Sequence, residues 1–296
     1  MNRYIQKIKT LRNRVYKLKG MFLDKNTSLK EIWFYILVQV RYALGQLIAS
    51  TPLAGHIHFS TKYYQLYLTK SPVAMVFFGD PNHTRFEDDV ARALLSKGDV
   101  CVDAGVNIGT FTLSAANAVG GEGHVYAFEA HPRTAEYAKR NLSLNHITNV
   151  TLEQKALGDR EMDVYISNDV HHDDINHLAS SGIKVKGITL NSYEPLHAVK
   201  EIVLVKVDVE GYELFLLNGA TDVLSKTKYV LFEAFEDNCA TFNYSVKDLF
   251  TWFHDHGFVT VSYPSYEKID ENNLSKELLE NVLAVRTDVY QKLKSR

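Results

Sequence analysis

Beyond about residue 83, the hydrophobic and polar positions of this chain alternate between two patterns. Short apolar runs lie at 100–104, 124–128, 150–156, 201–209 and 228–235. Helix-like segments, apolar on one face, lie at 109–119, 132–145, 210–218 and 245–256. Strands that are apolar on both faces and alternate with helices predict a doubly wound α/β fold with a mostly parallel sheet. Such sheets bind ligands beyond the carboxyl ends of their strands.

The last two apolar runs have no clear helix between them. They are "GFVTVSYP" (257–264) and "NVLAVRT" (281–287). Two strands that follow one another without a crossover helix are typical of antiparallel pairing. We therefore expect a hairpin at the edge of the sheet.

The N-terminal segment has a different pattern. Residues 3–22 predict a basic amphipathic helix, and a second helix follows the capping-box sequence at 28–31. The uncharged run at 32–40 is shorter than the ~20 apolar residues of a membrane-spanning helix. One interpretation is peripheral membrane contact through residues 1–22. The other, which is the more ordinary for amphipathic helices, is packing on the core or on a second subunit in a homodimer.

Tyrosine- and phenylalanine-rich pieces at 56–78 predict short strands of a small accessory sheet. The chain then divides into an N-terminal helical extension (1–55), an accessory β segment (56–82) and a main α/β domain (83–290). Tyr63, Tyr64 and Tyr67 are candidates for stacking on a sugar ring, and equally for packing within the accessory sheet.

Charge and cysteine content narrow the function classes. The net charge is −2, but residues 1–20 hold seven Lys and Arg and no acid, which leaves 26 basic and 35 acidic residues, or −9, for the rest. That balance argues against a main domain that binds nucleic acid. Only two cysteines occur, Cys101 and Cys239, so a disulfide framework is not expected and a reducing, cytoplasmic location fits.

A glycine-containing turn follows the first apolar run, in the sequence "VDAGVNIGTF" (102–111). Gly105 and Gly109 are typical of a nucleotide-binding turn, but the tight G-x-G of dinucleotide sites is missing. The carboxylate of Asp103 would repel a diphosphate and attract a cation. S-adenosylmethionine carries an ammonium group, and its carboxylate can accept hydrogen bonds from backbone N–H groups near Asn107.

Two further acids follow the next strands of the predicted sheet. Glu129 ends "GHVYAFEAHP" and is a candidate to accept hydrogen bonds from ribose hydroxyls. Asp159, in "KALGD", is a candidate partner of the adenine amino group, although an isolated Asp there is also typical of a cap or turn. Together with Asp103 they predict an S-adenosylmethionine site.

A charged cluster at 206–210 is the candidate catalytic site. Strand alternation places Lys206, Asp208 and Glu210 on one face, with valines on the other. A hydroxyl nucleophile needs a base, for which Asp208 is the first candidate and Glu210 the second. Lys206 is a further candidate catalytic residue, and equally a structural partner in a salt bridge to one of the carboxylates. Glu233 ends the next run and could join Asp208 around Mg²⁺, but without a compact ligand motif we expect a metal-free site.

The histidines of "HHDD" (171–174) lie where a substrate lid would be placed. His171 or His172 could serve as a base or ligand. A polar cluster of this kind is more often a solvated loop, which is the interpretation we favour.

Several ordered stretches between about residues 80 and 265 resemble the FkbM-type S-adenosylmethionine-dependent methyltransferases. They are "FEDDVARALLSKGDVCVDAGVNIGTFTLSAA" (86–116), "VYAFEAHPRTAEYAKRNLSLN" (125–145), "KALGD" (155–159), "GITLNSY" (187–193) and "LVKVDVEGYELFLLNGA" (204–220). The last, around Lys206, Asp208 and Glu210, is the most specific. One departure is Asn191, where the family more often has an acid.

The resemblance implies the Rossmann-like fold of class I methyltransferases and O-methylation of a sugar, glycolipid or natural-product hydroxyl. Two alternatives stay open from the residues alone. One is a nicotinamide-dependent oxidoreductase, against which Asp103 and the missing G-x-G argue. The other is a non-catalytic module that binds S-adenosylmethionine.

Overall fold

A computed structural model of the chain describes residues 17, 21, 24, 27–167, 178–179, 181–270 and 281–295. The helix predicted over residues 3–22 lies outside these residues except for Lys17 and Met21. His171 and His172 also lie outside them.

The described residues form helices and strands in the following order. The strands are β1 (His58–Ser60), β2 (Gln65–Tyr67), β3 (Val100–Ala104), β4 (His124–Phe128), β5 (Val150–Glu153), β6 (Ala156–Leu157), β7 (Met162–Ile166), β8 (Leu178–Ala179), β9 (Ile183–Ile188), β10 (Ile202–Val207), β11 (Thr227–Glu233), β12 (Phe258–Ser262), β13 (Glu267–Lys268) and β14 (Asn281–Arg286). The helices are α1 (Leu29–Ala49), α2 (Pro72–Gly79), α3 (Phe86–Leu94), α4 (Thr110–Val119), α5 (Pro132–Leu144), α6 (Glu194–His197), α7 (Glu213–Asn218), α8 (Thr221–Ser225), α9 (Glu236–Thr241), α10 (Val246–Asp255) and α11 (Thr287–Lys294).

The central sheet has eight strands in the order β13-β12-β14-β11-β10-β3-β4-β5. Neighbouring strands from β11 to β5 run parallel, whereas β14 is antiparallel to both β11 and β12. The predicted mostly parallel α/β sheet is therefore confirmed. The strand order reverses between β3 and β10, which is where a doubly wound sheet opens its ligand crevice.

For the hairpin predicted at the sheet edge, the antiparallel pairing is confirmed but the position in the sheet was wrong. Strands β12 and β14 are antiparallel partners, but β14 lies inside the sheet, between β11 and β12. Its four central residues are buried, which is typical of an interior strand in a sheet that is covered on both faces. The short polar strand β13 takes the edge instead.

Alternating side chains of the central strands enter two separate hydrophobic cores. On one face, Val205 and Val207 of β10 pack with residues of α7, α8 and α10. On the other face, Leu204 packs with residues of α3 and α4. Lys206 shares the face of Leu204, so its charge lies beneath α4 and close to the Phe111 ring, 5.8 Å from its centroid.

Two regions differ from the sequence-based expectation. The segment predicted as strands at 56–78 contains only β1 and β2, and its last part is the helix α2, which begins at Pro72 because proline suits the first turn of a helix. Between residues 156 and 188, a second sheet in the order β6-β9-β7-β8 occupies a region for which no strands were predicted. Helix α3, before the first central strand, was also missed.

Helix α1 begins at the predicted capping box, where Ser28 and Glu31 exchange hydrogen bonds. It lies against α2, with Arg41 over the Phe78 ring at 5.6 Å from its centroid. By length and composition it is apolar enough to cross a membrane, a test that core helices and signal sequences also pass. The expectation that it does not span a bilayer stays a prediction.

Candidate active site

A cavity of about 680 Å³ opens at the carboxyl ends of β3, β4, β10 and β11. Each of these strands leads into the wall: Gly105 follows β3, Glu129 follows β4, Asp208 follows β10 and Glu233 ends β11. The cavity therefore lies at the point where the strand order reverses. Further lining residues come from the loop before α3, from the segment after β5 and from the region of α9; they include His83, Arg85, Glu87, Asn107, Lys155, Leu157, Glu210, Tyr212, Phe235 and Asn238.

The loop between β3 and α4 needs glycine at two positions. Gly105, Asn107 and Gly109 all have positive φ angles, of 89°, 54° and 91°. A Cβ at Gly105 would overlap the carbonyl oxygen of Asp208, because the two loops run against each other. Gly109 is the residue that precedes α4. Gly105 and Asn107 line the cavity, whereas Gly109 does not; their binding of a cofactor stays a prediction.

Glu129 is held rigidly in the cavity wall. Its Oε2 accepts a hydrogen bond from the backbone N–H of Asn107 at 2.7 Å. Its Oε1 accepts from the N–H of His131 (2.9 Å) and the hydroxyl of Thr134 (2.8 Å). Burial raises the pKa of Glu129 to about 7, against the lowering effect of these three bonds. The carboxylate thus links the β3–α4 loop to the start of α5.

Lys206 ties two acids together at the base of the cavity. Its Nζ lies 2.9 Å from Oδ2 of Asp208 and 3.7 Å from Oδ1 of Asp103, and it donates a hydrogen bond to the carbonyl of Gly105 at 3.1 Å. Although burial alone would lower its pKa, Asp208 and Asp103 raise the pKa of Lys206 above its ordinary value. The predicted pairing of this lysine with a carboxylate is what the structure contains.

Asp103 occupies a different place from the one expected. It was expected at the mouth of the loop, but it is fully buried, and its Oδ2 accepts a hydrogen bond from Thr112 at 2.5 Å. It does not line the cavity, because its strand position turns the carboxylate toward Lys206. Burial raises the pKa of Asp103 to about 6, although Lys206 and Thr112 act in the opposite direction. A direct contact between Asp103 and a cofactor stays a prediction; the contacts that the structure contains are those with Lys206 and Thr112.

Three side chains meet on the opposite wall. The side-chain amide of Asn238 donates hydrogen bonds to Glu233 (3.0 Å) and to Glu210 (3.3 Å). Burial, together with the charges of Asp208 and Glu213, raises the pKa of Glu233 to about 8. Glu210 lies in a turn with φ 55°, after the end of β10. Its face is therefore set by this turn and not by the strand alternation from which it was predicted.

A charged pair in the cavity wall was not predicted from the sequence. Arg85 and Glu87 form an ion pair at 2.5 Å, at the start of α3, and both line the cavity. Burial alone would lower the pKa of Arg85, but Glu87 and Asp208 raise it. The sequence "TRFEDD" could have indicated the start of this helix, because three acids in succession are typical of the first turn of a helix.

Asp159 and Asn191 do not line the cavity. Both carboxylate oxygens of Asp159 pair with Arg160, at 3.0 and 3.1 Å, and the pair borders a separate small hollow. Asn191 accepts hydrogen bonds from the backbone N–H groups of Asp222 and Val223 and so caps α8. Because a carboxylate would accept the same two bonds, the departure from the family's acid at this position is conservative.

The three tyrosines of the accessory segment do not line the cavity. The hydroxyl of Tyr64 is buried and donates to Asp88 at 2.7 Å. Tyr63 and Tyr67 each lie beneath an arginine guanidinium. Of their two predicted roles, these contacts favour packing.

Within the ranges that the structure describes, no group of three or more His, Cys, Asp or Glu side chains could hold a metal ion.

The wall of the cavity beside the β3–α4 loop offers acceptors for a ligand that carries hydrogen-bond donors. Oδ1 of Asn107 is buried and accepts no hydrogen bond from any described residue. A buried acceptor without a partner is costly, so a ligand donor at this point would be stabilising. The carboxylate of Glu129 beside it has about four lone-pair sites, of which three are used.

Comparison with known proteins identifies a family match. A sequence model of the methyltransferase FkbM domain matches residues 103–260, which is more than half of the chain. The chain is 29% identical over 154 residues to a hexuronic acid methyltransferase, AglP, of Haloferax volcanii. That alignment covers 50% of this chain and 62% of the relative. Nothing in these matches supports the nicotinamide-dependent alternative.

Solved methyltransferase structures resemble the chain more weakly. A putative rRNA methylase of Clostridium thermocellum has a TM-score of 0.42 and 12% identity, over 67% of this chain and 92% of that one. An S-adenosylmethionine-dependent O-methyltransferase of Thermotoga maritima has a TM-score of 0.40 and 14% identity, over 80% and 87%. At scores this low, the activities of those proteins do not extend to this chain.

Proposed function

The chain belongs to the FkbM family of methyltransferase domains, and from this premise we propose that it transfers the methyl group of S-adenosylmethionine to a hydroxyl group of a sugar. The observation that carries the proposal is one cavity with two distinct walls. Asn107 and Glu129 form the wall toward the β3–α4 loop, and Asp208, Glu210 and Glu233 form the other. A two-substrate reaction needs both parts side by side.

The cofactor belongs on the wall formed by Asn107 and Glu129. Hydroxyl groups of a ribose suit the remaining acceptor capacity of Glu129, and a donor on the methionine part suits the unpartnered Oδ1 of Asn107. Gly105 keeps the loop backbone open at this point, since any side chain there would collide with Asp208. S-adenosylmethionine supplies an electrophilic methyl group on a sulfonium.

The acceptor hydroxyl belongs on the wall formed by Asp208 and Glu233. Asp208 is the base in this proposal: its Oδ2 is ion-paired with Lys206, and a carboxylate has a further oxygen free to accept a proton. Lys206 stabilises the negative charge of Asp208. Its second contact, with Asp103, holds the lysine side chain against the buried end of β3. Most of the acceleration comes from holding the acceptor oxygen in line with the methyl group.

A sugar is the acceptor class that the cavity suits best. Phe235 is exposed and lines the cavity, so its ring can cover an apolar face of a pyranose. The polar side chains of Asn238, Glu210 and Glu233 line the same cavity and can bind ring hydroxyls. The hexuronic acid activity named for the relative in Haloferax volcanii supports the same class.

The proposal is tested by methyl transfer from tritium-labelled S-adenosylmethionine to a panel of hexoses, hexuronic acids and lipid-linked sugars. We expect transfer to a member of the panel by the unaltered protein and a loss of about 100-fold in Asp208→Asn, the usual contribution of a general base. Asp255→Asn, an exposed acid outside the cavity, is the control. If the protein binds S-adenosylhomocysteine but transfers no methyl group to any acceptor of the panel, the result would instead support a non-catalytic module.

A further inference from the structure

The outer face of α1 is apolar and uncovered. Of the fourteen large hydrophobic residues that are exposed among the described residues, seven lie on this helix: Leu29, Trp33, Phe34, Leu37, Val40, Leu44 and Leu47. At about 100° per residue, all of them except Phe34 fall within an arc of about 80°. A continuous apolar stripe on a protein surface marks an interaction site.

The opposite face of α1 is already fastened to the protein. Gly45 lies against the ring of Phe78, and Gly79 lies against the backbone of Val38. Ile32, Gly45 and Ala49 are the buried positions of the helix. The apolar stripe therefore cannot turn inward without breaking these contacts, and it needs a partner outside the described part of the chain.

The charge pattern around α1 indicates which partner. Residues 1–20 hold seven Lys and Arg and no acid, and residues 32–61 carry a single charged side chain, Arg41. Lys17 lies beside α1, with its Nζ 5.5 Å from the centroid of the Tyr35 ring. A basic segment next to an uncharged apolar stripe is complementary to an anionic lipid surface. A second copy of this chain would offer the same positive charge, not the opposite one.

We infer that α1 lies in the interface of an anionic membrane, with its apolar stripe in the acyl boundary and Lys17 among the headgroups. Trp33 and Phe34 are aromatic side chains of the kind enriched at this depth. Because one side of α1 packs on α2, only the exposed stripe can contact lipid, as in a helix that lies in the interface. Val73, on α2, lines the cavity, so the helix that carries α1 also forms part of the cavity wall.

The protein contains its own probe of this inference. It has two tryptophans, Trp33, which is 69% exposed, and Trp252, which is 8% exposed and stacked on His256. Vesicles of phosphatidylcholine with phosphatidylglycerol are expected to sediment the protein and to shift its tryptophan emission to shorter wavelength. Vesicles of phosphatidylcholine alone, or high salt, are expected to weaken both effects because screening removes the headgroup attraction.

Matched variants separate the stripe from general surface hydrophobicity. Leu37→Gln with Leu44→Gln is expected to reduce vesicle binding by about tenfold or more, because it removes apolar area from the interface. Met162→Gln with Tyr165→Gln, which changes two exposed apolar residues far along the chain, is the control and keeps binding. Trp33→Leu is expected to sediment as before but to lose the emission shift.

Two results would overturn the inference. One is equal vesicle binding by the unaltered protein and by the Leu37→Gln, Leu44→Gln variant. The other is a dimer in sedimentation velocity that this variant dissociates, with no vesicle binding by either form, which would make the stripe a contact between copies. Because all these residues are exposed, the variants are expected to keep the circular dichroism spectrum of the unaltered protein.

Discussion

The ammonium of Lys206 lies 2.9 Å from Oδ2 of Asp208, and this ion pair joins a buried strand to the floor of the cavity. The same ammonium is close to Asp103, which has no exposed surface. The pair therefore has a structural role, which is to neutralise Asp103, and a proposed catalytic role, which is to hold Asp208. Different experiments separate the two roles.

The structural role predicts a large stability loss in Lys206→Met. Removing one partner of a buried ion pair costs about 3–5 kcal/mol, because the other charge is left buried without compensation. Urea unfolding at pH 8, above the pKa of about 6 for Asp103, measures this loss. Adding Asp103→Asn to Lys206→Met is expected to restore part of it. A loss below about 1 kcal/mol would mean that the buried carboxylate does not depend on this lysine.

Gly105→Ala and Gly98→Ala form a matched pair. Both glycines have positive φ, 89° and 87°, but a Cβ at Gly98 would meet nothing within 4 Å, whereas one at Gly105 would strike the backbone of Asp208. Gly98→Ala is expected to cost about 1–2 kcal/mol for the left-handed conformation alone. Gly105→Ala is expected to cost more and to weaken cofactor binding. If thermal unfolding showed the same loss of stability in both variants, and cofactor binding were unchanged in Gly105→Ala, the loops that carry Gly105 and Asp208 could move apart freely.

The raised pKa of Glu233, about 8, predicts how stability changes with pH. The folded protein holds this proton at pH values where the unfolded chain, near 4.5, has released it, so the free energy of unfolding falls between about pH 4.5 and 8 and then levels off. Glu233→Gln is expected to flatten this slope and to add about 1–2 kcal/mol at pH 8, a value reduced for access of solvent through the cavity.

Urea unfolding at several pH values measures the slope, and Glu267→Gln, on the exposed edge strand, is the control. Glu129, with a pKa of about 7, contributes a slope of the same sign that Glu233→Gln leaves in place. An unchanged pH profile in Glu233→Gln would contradict the burial of this carboxyl group.

Asn191 is expected to act through helix α8 and not through chemistry. Asn191→Ala removes the acceptor for two backbone N–H groups and is expected to cost about 1 kcal/mol. Asn191→Asp keeps the acceptor and is expected to be neutral or slightly stabilising, because a negative charge favours a helix start. Denaturant unfolding of both variants, with methyl transfer measured beside it, checks the assignment. A selective loss of transfer in Asn191→Asp would place this residue in the active site instead.

The central sheet could be predicted because buried parallel strands are continuous apolar runs. Strands β3 and β4 have the predicted bounds, and β14 was predicted as a strand but not placed inside the sheet. The second sheet could not be predicted, because its strands are two to six residues long and β7 and β9 carry exposed polar residues among their apolar ones. Their pairing depends on contacts between distant parts of the chain, which local pattern does not contain.

The sequence could predict which residues follow the ends of the central strands. It could not predict which way a side chain points when that direction depends on a neighbouring strand. Gly105, Glu129 and Asp208 follow strands whose ends must meet at one edge, and all three line the cavity. The direction of the Asp103 carboxylate depends on Lys206, which is adjacent only after the sheet has formed. Arg85 comes from a helix before the first central strand, so no strand-end argument could find it.

The most direct test of the proposed function is calorimetric titration of the protein with S-adenosylhomocysteine, set beside the same titration of Glu129→Ala and Asp208→Asn. We expect binding by the unaltered protein, a loss of about tenfold or more in Glu129→Ala because a hydrogen-bond acceptor is removed, and unchanged binding in Asp208→Asn. Equal binding by the unaltered protein and Glu129→Ala, or a preference for NAD⁺, would contradict the proposed cofactor site.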